Sequence, residues 1–273
     1  MTNSDRFRGL ADVEKGDALP IVSASAASFS YRRANGVLPA IEKLQWEAQR
    51  GKITTLIGPS GCGKSTLIRG ICRVLAPDSG ALLVDIPQKP SVRDLTVAFQ
   101  TPALLPWLTV EANAWLPFNI AGEPPTEQDR NILNHLFETT ELQQFRQCYP
   151  HELSGGMAMR AAVIRAFLPR PKLVLMDEPF AALDEFTRER MCGLLEQIWM
   201  ETRNTIVFVT HNLTEAVLLS DRISVLSGRP GRLIAEIDVA LPRPRSLGQQ
   251  TSEFLRIVSE LRQTVRAGMT YEG

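Results

Sequence analysis

The chain has 273 residues, with 30 Lys and Arg against 30 Asp and Glu, so its formal net charge is zero. That length carries one large α/β domain with insertions or two small ones, and the neutral balance offers no broad positive field for gripping nucleic acid. Cys62, Cys72, Cys148 and Cys192 are scattered without a Cys-x-x-Cys pair, which argues against a zinc site or disulfide framework and fits a reducing compartment.

Residues 1–20 mix Asp5, Arg6, Arg8, Asp12 and Glu14 without an apolar run. They are expected to form a flexible lead-in, neither a secretory signal nor an anchor. No apolar stretch reaches the roughly 20 residues that span a bilayer, so any membrane association is expected to come through a partner. Over residues 21–57, short alternating apolar runs are broken by Arg32-Arg-Ala-Asn-Gly36 and Arg50-Gly51, a pattern of β-hairpins. Ile53-Thr-Thr-Leu-Ile57 reads as a buried strand, and a helix is expected over 65–74.

Between them lies Gly58-Pro-Ser-Gly-Cys-Gly-Lys-Ser-Thr66, a phosphate-binding loop in strand–loop–helix context. Gly58, Gly61 and Gly63 let the backbone turn tightly and aim N–H groups inward. Lys64 reaches the β- and γ-phosphates, and Ser65 offers a hydroxyl to Mg²⁺. Pro59, Ser60 and Thr66 complete the loop, the helix N-terminus adds partial positive charge, and Cys62 is expected to pack rather than react.

Downstream, a turn at 77–80 leads to strands over 81–84 and 97–99, the second ending at Gln100. Pro102, Pro106, Pro117, Pro124, Pro125 and Pro150 then separate helical stretches such as 127–139, the pattern of an inserted helical subdomain. Leu173-Val-Leu-Met176 and Ile206-Val-Phe-Val209 read as buried parallel strands whose carboxyl ends carry chemistry. The first runs into Asp177 and Glu178, a Walker B arrangement. There Asp177 orients Mg²⁺, and Glu178 polarises the water that attacks the γ-phosphate. Near the end, Phe254, Val258, Leu261 and Val265 recur at helical spacing, predicting a helix over 252–266 with a core-facing stripe.

Leu153-Ser-Gly-Gly-Met157 lies between the helical stretch and Walker B, and its glycines let N–H groups approach phosphate at a helix start. With this segment the chain resembles the ATP-binding subunit of an ATP-binding cassette (ABC) transporter, whose signature is usually Leu-Ser-Gly-Gly-Gln; Met157 departs from it. The resemblance implies an α/β P-loop NTPase fold: a RecA-like core, an N-terminal antiparallel β-subdomain and a helical subdomain over about 101–160. The cassette would span 21–245, followed by a C-terminal helical extension over 246–273. ATP and Mg²⁺ are the implied cofactors, and two copies are implied to face head to tail. Ser154, Gly155 and Gly156 of one copy would cap the γ-phosphate held by the P-loop of the other.

By the same resemblance, Gln100 matches the Q-loop glutamine that senses Mg²⁺ and the attacking water, and Ala182-Leu183-Asp184 matches the D-loop. His211 matches the switch histidine, and Tyr31, with Phe29 as its substitute, matches the aromatic that stacks on adenine. The motifs occur in family order across nearly the whole chain.

Gln100-Thr-Pro-Ala-Leu-Leu-Pro-Trp-Leu-Thr-Val110, Asp177-Glu-Pro-Phe-Ala-Ala-Leu-Asp184 and Leu241-Pro-Arg-Pro-Arg245 resemble the ATPases of nitrate, sulfonate and taurine importers. That implies ATP-driven uptake of a small anion or organic solute through a separate integral-membrane permease served by an extracytoplasmic solute-binding protein. The chain would sit peripherally on the cytoplasmic face of the inner membrane, without a nucleic-acid partner. Leu104, Leu105 and Trp107 either form an apolar groove for a permease helix or pack the helical subdomain. The alternative is a soluble cassette ATPase acting on nucleic acid or ribosomes, which would usually carry a second cassette, zinc cysteines or a basic face. Two departures from the subfamily pattern, Ala158-Met-Arg-Ala-Ala162 and Arg170-Pro171, are expected to alter surface charge alone.

Overall fold

A computed structural model describes residues 19–33, 36–245 and 251–269; most of the expected lead-in lies outside these described residues. The first hairpin pairs β1 (Val22–Arg33) with β2 (Gly36–Ala48) antiparallel. A register shift between Ala24 and Ala27 changes the parity of β1, so Val22 and Ala24 and then Ala27 and Phe29 all reach the buried face. β3 (Ile53–Ile57) is buried at every position, as its unbroken apolar and threonine run requires. Ile53 and Ile57 face one apolar core and Leu56 the other, so this strand joins the two.

Helix α1 (Lys64–Ile71) stops short of the expected boundary at 74. Arg73 takes a left-handed φ of 59° and its N–H turns back to the Gly70 carbonyl at 2.9 Å, which closes the helix. β4 (Ser79–Val84) then lies along β1, completing a three-stranded antiparallel sheet in the order β2-β1-β4.

After β5 (Leu95–Phe99) come α2 (Val110–Ala121), α3 (Glu127–Thr139) and α4 (Gly155–Phe167), with Thr109, Thr126 and Ser154 as N-caps. α4 runs past 160 because its second half buries Ala161 to Ile164, Ala166 and Phe167 in the main core. The chain continues through β6 (Leu173–Asp177), α5 (Glu185–Thr202), β7 (Thr205–Val209), α6 (Leu213–Leu219), β8 (Arg222–Leu226) and β9 (Leu233–Asp238). These strands form a six-stranded sheet, β5-β6-β7-β3-β8-β9, parallel except at the β8–β9 pair. Helix α7 (Ser252–Met269) lies against α6 and β8. It buries Phe254, Ile257 and Leu261, with Val258 and Val265 beside them; the stripe faces the core, and Ile257 is the member missing from the predicted set.

The helical subdomain is tied to the sheet through a buried carboxylate. Asp129 in α3 is fully enclosed, takes both guanidinium nitrogens of Arg93 at 3.1 and 2.8 Å, and accepts from the Thr126 backbone N–H at 2.8 Å. Arg170 adds a further contact at 3.5 Å with its side chain only 23% exposed. Arg170 therefore belongs to a buried ion cluster, which corrects the expectation that this departure changes surface charge alone. Arg160, in the other departure, donates to the Thr140 carbonyl and pairs with Glu141.

Burial pushes the Asp129 carboxyl up, but Arg93 and Thr126 outweigh it and hold it from the usual 3.8 down to about 2. Asp129→Ala, which leaves two guanidinium groups without their counter-charge, should cost about 3–5 kcal/mol in urea unfolding at pH 7. Because the folded value is depressed, that advantage is present above the ordinary carboxylate range. The wild-type lead over the variant should shrink as pH falls from about 4 through about 2, and a pH-independent gap would contradict the assignment.

Candidate functional site

The parallel ladder sets the site's position. Leu56 pairs with Val209, Asp177 with Val209 and Phe99 with Asp177, so the chain leaves β3, β5, β6 and β7 along one edge. The loop of residues 58–63 follows β3. Gly63 has a φ of 102°, and a Cβ there would lie 2.8 Å from the Ala40 carbonyl oxygen, so only glycine fits the turn into α1. Cys62 is fully buried, and burial pushes its thiol up although Lys64 pulls the other way. It packs, as expected.

Lys64 is 6% exposed and folds back over the loop, its Nζ donating to the Gly58 and Pro59 carbonyls at 2.8 and 3.0 Å. It forms no salt bridge within 4 Å among the described residues, although its charge is felt by Asp177, and its ammonium is suited to a polyphosphate. Burial pushes the Asp177 carboxyl above its ordinary range; the Ser65 hydroxyl and Lys64 oppose the rise and Glu178 adds to it. Ser65 and Asp177 are hard oxygen donors, and no cluster of three His, Cys, Asp or Glu able to hold a metal occurs among the described residues. Such a sparse donor set fits Mg²⁺, which shares its shell with phosphate and water and does not require an all-protein cage.

Glu178 has a φ of 50°, strained for a residue with a side chain, and its N–H is tied to the Val209 carbonyl at 2.9 Å. This turn aims its carboxylate at His211, whose Nδ1 lies 2.9 Å from Glu178 Oε2. Gln100 stands one residue beyond the partner of Asp177, exposed at the same edge. The Tyr31 hydroxyl is 3.1 Å from Thr66 Oγ1 and accepts from Arg69 at 3.3 Å, which places this ring beside the first turns of α1. Phe29 is 1% exposed in the core, so it presents no free face for stacking.

Ser154, Gly155 and Gly156 stand apart from this cluster. Ser154 Oγ accepts from the Met157 N–H at 3.3 Å, Ser154 and Gly155 are exposed, and no hydrogen bond joins the three to the P-loop. Asp184 caps α5 through the Thr187 N–H at 3.0 Å.

Two features of the site were missed in the sequence. The loop between β8 and β9 braces the P-loop: Arg229 Nε donates to the Gly61 carbonyl at 3.1 Å, and Gly231 N–H donates to Ala40 at 2.8 Å. A Cβ on Gly231 would fall 1.9 Å from the Cys62 carbonyl oxygen. The glycine and proline of Arg229-Pro-Gly-Arg232 were the available signal. Thr210 and Glu215, which flank His211, are the second omission.

Comparison with known proteins bears on the family. The ABC transporter family profile matches residues 41–181. The aliphatic sulfonates import ATP-binding protein SsuB of Bacillus cereus is 36% identical over 237 residues, 86% of this chain and 92% of that protein. The chain belongs to the ABC transporter family. Among solved structures, the dimeric structure of a bacterial ABC transporter cassette aligns with a TM-score of 0.70 at 27% identity, covering 81% of this chain and 100% of that one. The same cassette as a dimer in a post-hydrolysis state bound to ADP and Pi aligns with a TM-score of 0.69 at 26% identity, with the same coverage. The α/β cassette fold is therefore that of the family, and the chain is an ABC ATPase.

The raised Asp177 carboxyl has a measurable consequence. Its charged form is disfavoured in the fold, so Asp177→Asn should raise the Tm of the nucleotide-free cassette. With ATP and Mg²⁺ added, the variant should gain less stabilisation than the wild type in paired thermal scans. A lowered nucleotide-free Tm would contradict this account.

Proposed function

We propose that the cassette is the ATP-hydrolysing subunit of an importer for a small anion or organic solute of the sulfonate, nitrate or taurine class. The Glu178–His211 pair at 2.9 Å beside Asp177 and Lys64 carries the chemical part of this reading. Lys64 and the backbone N–H groups of residues 60–63 bind the phosphates, and Tyr31 stacks on adenine from the β1 side. Ser65, Asp177 and Gln100 would hold Mg²⁺, which when bound neutralises charge on the β- and γ-phosphates. The Glu178 carboxylate accepts a proton from the attacking water, and the His211 imidazole holds that carboxylate in place and contacts the γ-phosphate. Phosphoryl transfer needs this positioning more than covalent help.

A second copy completes the site. Ser154, Gly155 and Gly156 lie at the start of α4 with no hydrogen bond to their own P-loop; Ser154 and Gly155 are exposed, and a Cβ at Gly155 would meet nothing within 4 Å. They are placed to cap the γ-phosphate on a facing subunit. ATP draws two copies together, hydrolysis lets them part, and that alternation drives a permease served by an extracytoplasmic binding protein.

No helix among the described residues is long and apolar enough to cross a membrane. On the importer reading, the cassette reaches the bilayer's cytoplasmic face through its permease. The segment after Gln100 is suited to that contact: Leu104 packs on the core, whereas Trp107 is 69% exposed. Arg165 pins this segment by donating to the Ala103 carbonyl at 2.7 Å and to Pro102 at 2.6 Å. The importer class draws support from the 36% identity to a protein named for sulfonate import. A nucleic-acid or ribosome partner has no such support.

Glu178→Gln keeps the size and loses the proton acceptor. It should lower steady-state ATP turnover at least about a hundredfold while leaving nucleotide affinity intact, and ATP should convert the variant to a stable dimer in sedimentation. Turnover at the wild-type rate would show that Glu178 is not the base.

A further inference from the structure

Of the buried carboxylates without a role so far, Glu215 is the one that lies beside Glu178 and His211. Glu215 in α6 is 4% exposed, and its two oxygens serve different partners: Oε2 accepts from the Thr210 hydroxyl at 2.6 Å, and Oε1 lies 3.1 Å from Arg188 Nε in α5. Arg188 also grips the segment that follows Glu178, donating from Nη2 to the Leu183 carbonyl at 2.6 Å and from Nε to Phe180 at 3.4 Å. That segment is a compact double turn in which Ala181 N–H donates to Glu178 at 3.2 Å and Leu183 N–H to Phe180 at 3.1 Å.

On the other side, the Thr210 hydroxyl accepts from the Asn212 N–H at 3.0 Å while donating to Glu215, so it fixes the backbone on both sides of His211. The contacts close into a ring: Glu178, the Phe180–Leu183 turn, Arg188, Glu215, Thr210, His211, and back to Glu178. Beside the ring, α5 and α6 part around a cavity of about 270 Å³ lined by Glu185, Arg188, Asn212, Thr214 and Leu218. Burial pushes the Glu215 carboxyl up and Thr210 and Arg188 pull it back, as expected for an acid kept inside by its partners.

We propose that Arg188 and Glu215 are positioning residues that couple the Ala182–Asp184 segment to His211, so that pressure on this segment from a second copy sets the Glu178–His211 geometry. The coupling rests on the reading of Glu178 and His211 as the hydrolytic pair. A shift of the Phe180 and Leu183 carbonyls drags the guanidinium that both share, and its remaining partner is the carboxylate that holds Thr210. Neither residue touches substrate; both act through His211.

The test uses the full chain, with steady-state ATPase kinetics and titration of a fluorescent ATP analogue. Thr210→Val, which keeps shape and removes one hydroxyl, and Glu215→Gln should each lower kcat about tenfold or more with nucleotide affinity within about twofold of wild type. The Thr210→Val, Glu215→Gln double variant should lose no more than the worse single one, because the residues act in series. Arg188→Lys, which keeps a charge beside Glu215, should recover part of the kcat lost in Arg188→Ala. Wild-type kcat in Thr210→Val and Glu215→Gln, or affinity falling in step with kcat, would overturn the proposal. His211→Ala separates the two readings. If it leaves turnover intact, the hydrolytic pair is wrong; if it stops turnover while Thr210→Val does not, only the coupling is.

Discussion

Because β3, β5, β6 and β7 run parallel in a shared register, their carboxyl ends finish side by side, and every charged group of the candidate site hangs from that edge. A parallel sheet covered on both faces leaves almost no room for polar side chains along its strands. Polar chemistry is confined to where the strands stop: the P-loop after β3, Gln100 after β5, Asp177 at the end of β6, and Thr210 and His211 after β7. A one-residue slip in any pair would turn these groups away from one another and bury them unpaired.

The edge so formed is electrically unfinished. A lysine held by carbonyls, a carboxylate raised by burial and a glutamate on a strained φ are each unfavourable taken alone. They suit a highly charged ligand that brings phosphate to the first and a divalent ion to the second. Stability comes from elsewhere in the molecule, including the two apolar cores and the pairing of buried Asp129 with the partly exposed Arg93. Such a division lets the site be poised for binding while the scaffold remains folded.

Local chemistry was the part most legible in the sequence. The P-loop and the Asp177–Glu178 pair depend on residues adjacent in the chain, and the hairpin and buried strands on runs of a few residues, whereas the signature and His211 were read through the resemblance to the cassette family. What escaped depends on contacts between distant segments. Nothing near Arg229 or Gly231 says that they lean on a loop some 170 residues earlier in the chain, at Gly61 and Cys62. Arg170 read as a surface change because its partner Asp129 belongs to another helix. The early end of α1 reflects a single left-handed residue, Arg73, which no propensity would select. Helices α5 and α6 and strands β8 and β9 carry weaker periodic signals, and Glu215 became visible only once α5 was laid against α6.

In the proposed dimer one copy's signature faces the other copy's P-loop, a juxtaposition that nucleotide-dependent cross-linking reports. Ser60 and Gly155 are both exposed in the single chain. A mixture of Ser60→Cys and Gly155→Cys chains, oxidised with ATP present, should give a covalent dimer that neither chain gives alone and that disappears without nucleotide. Equal cross-linking in each chain alone, or none in the mixture, would contradict the head-to-tail arrangement.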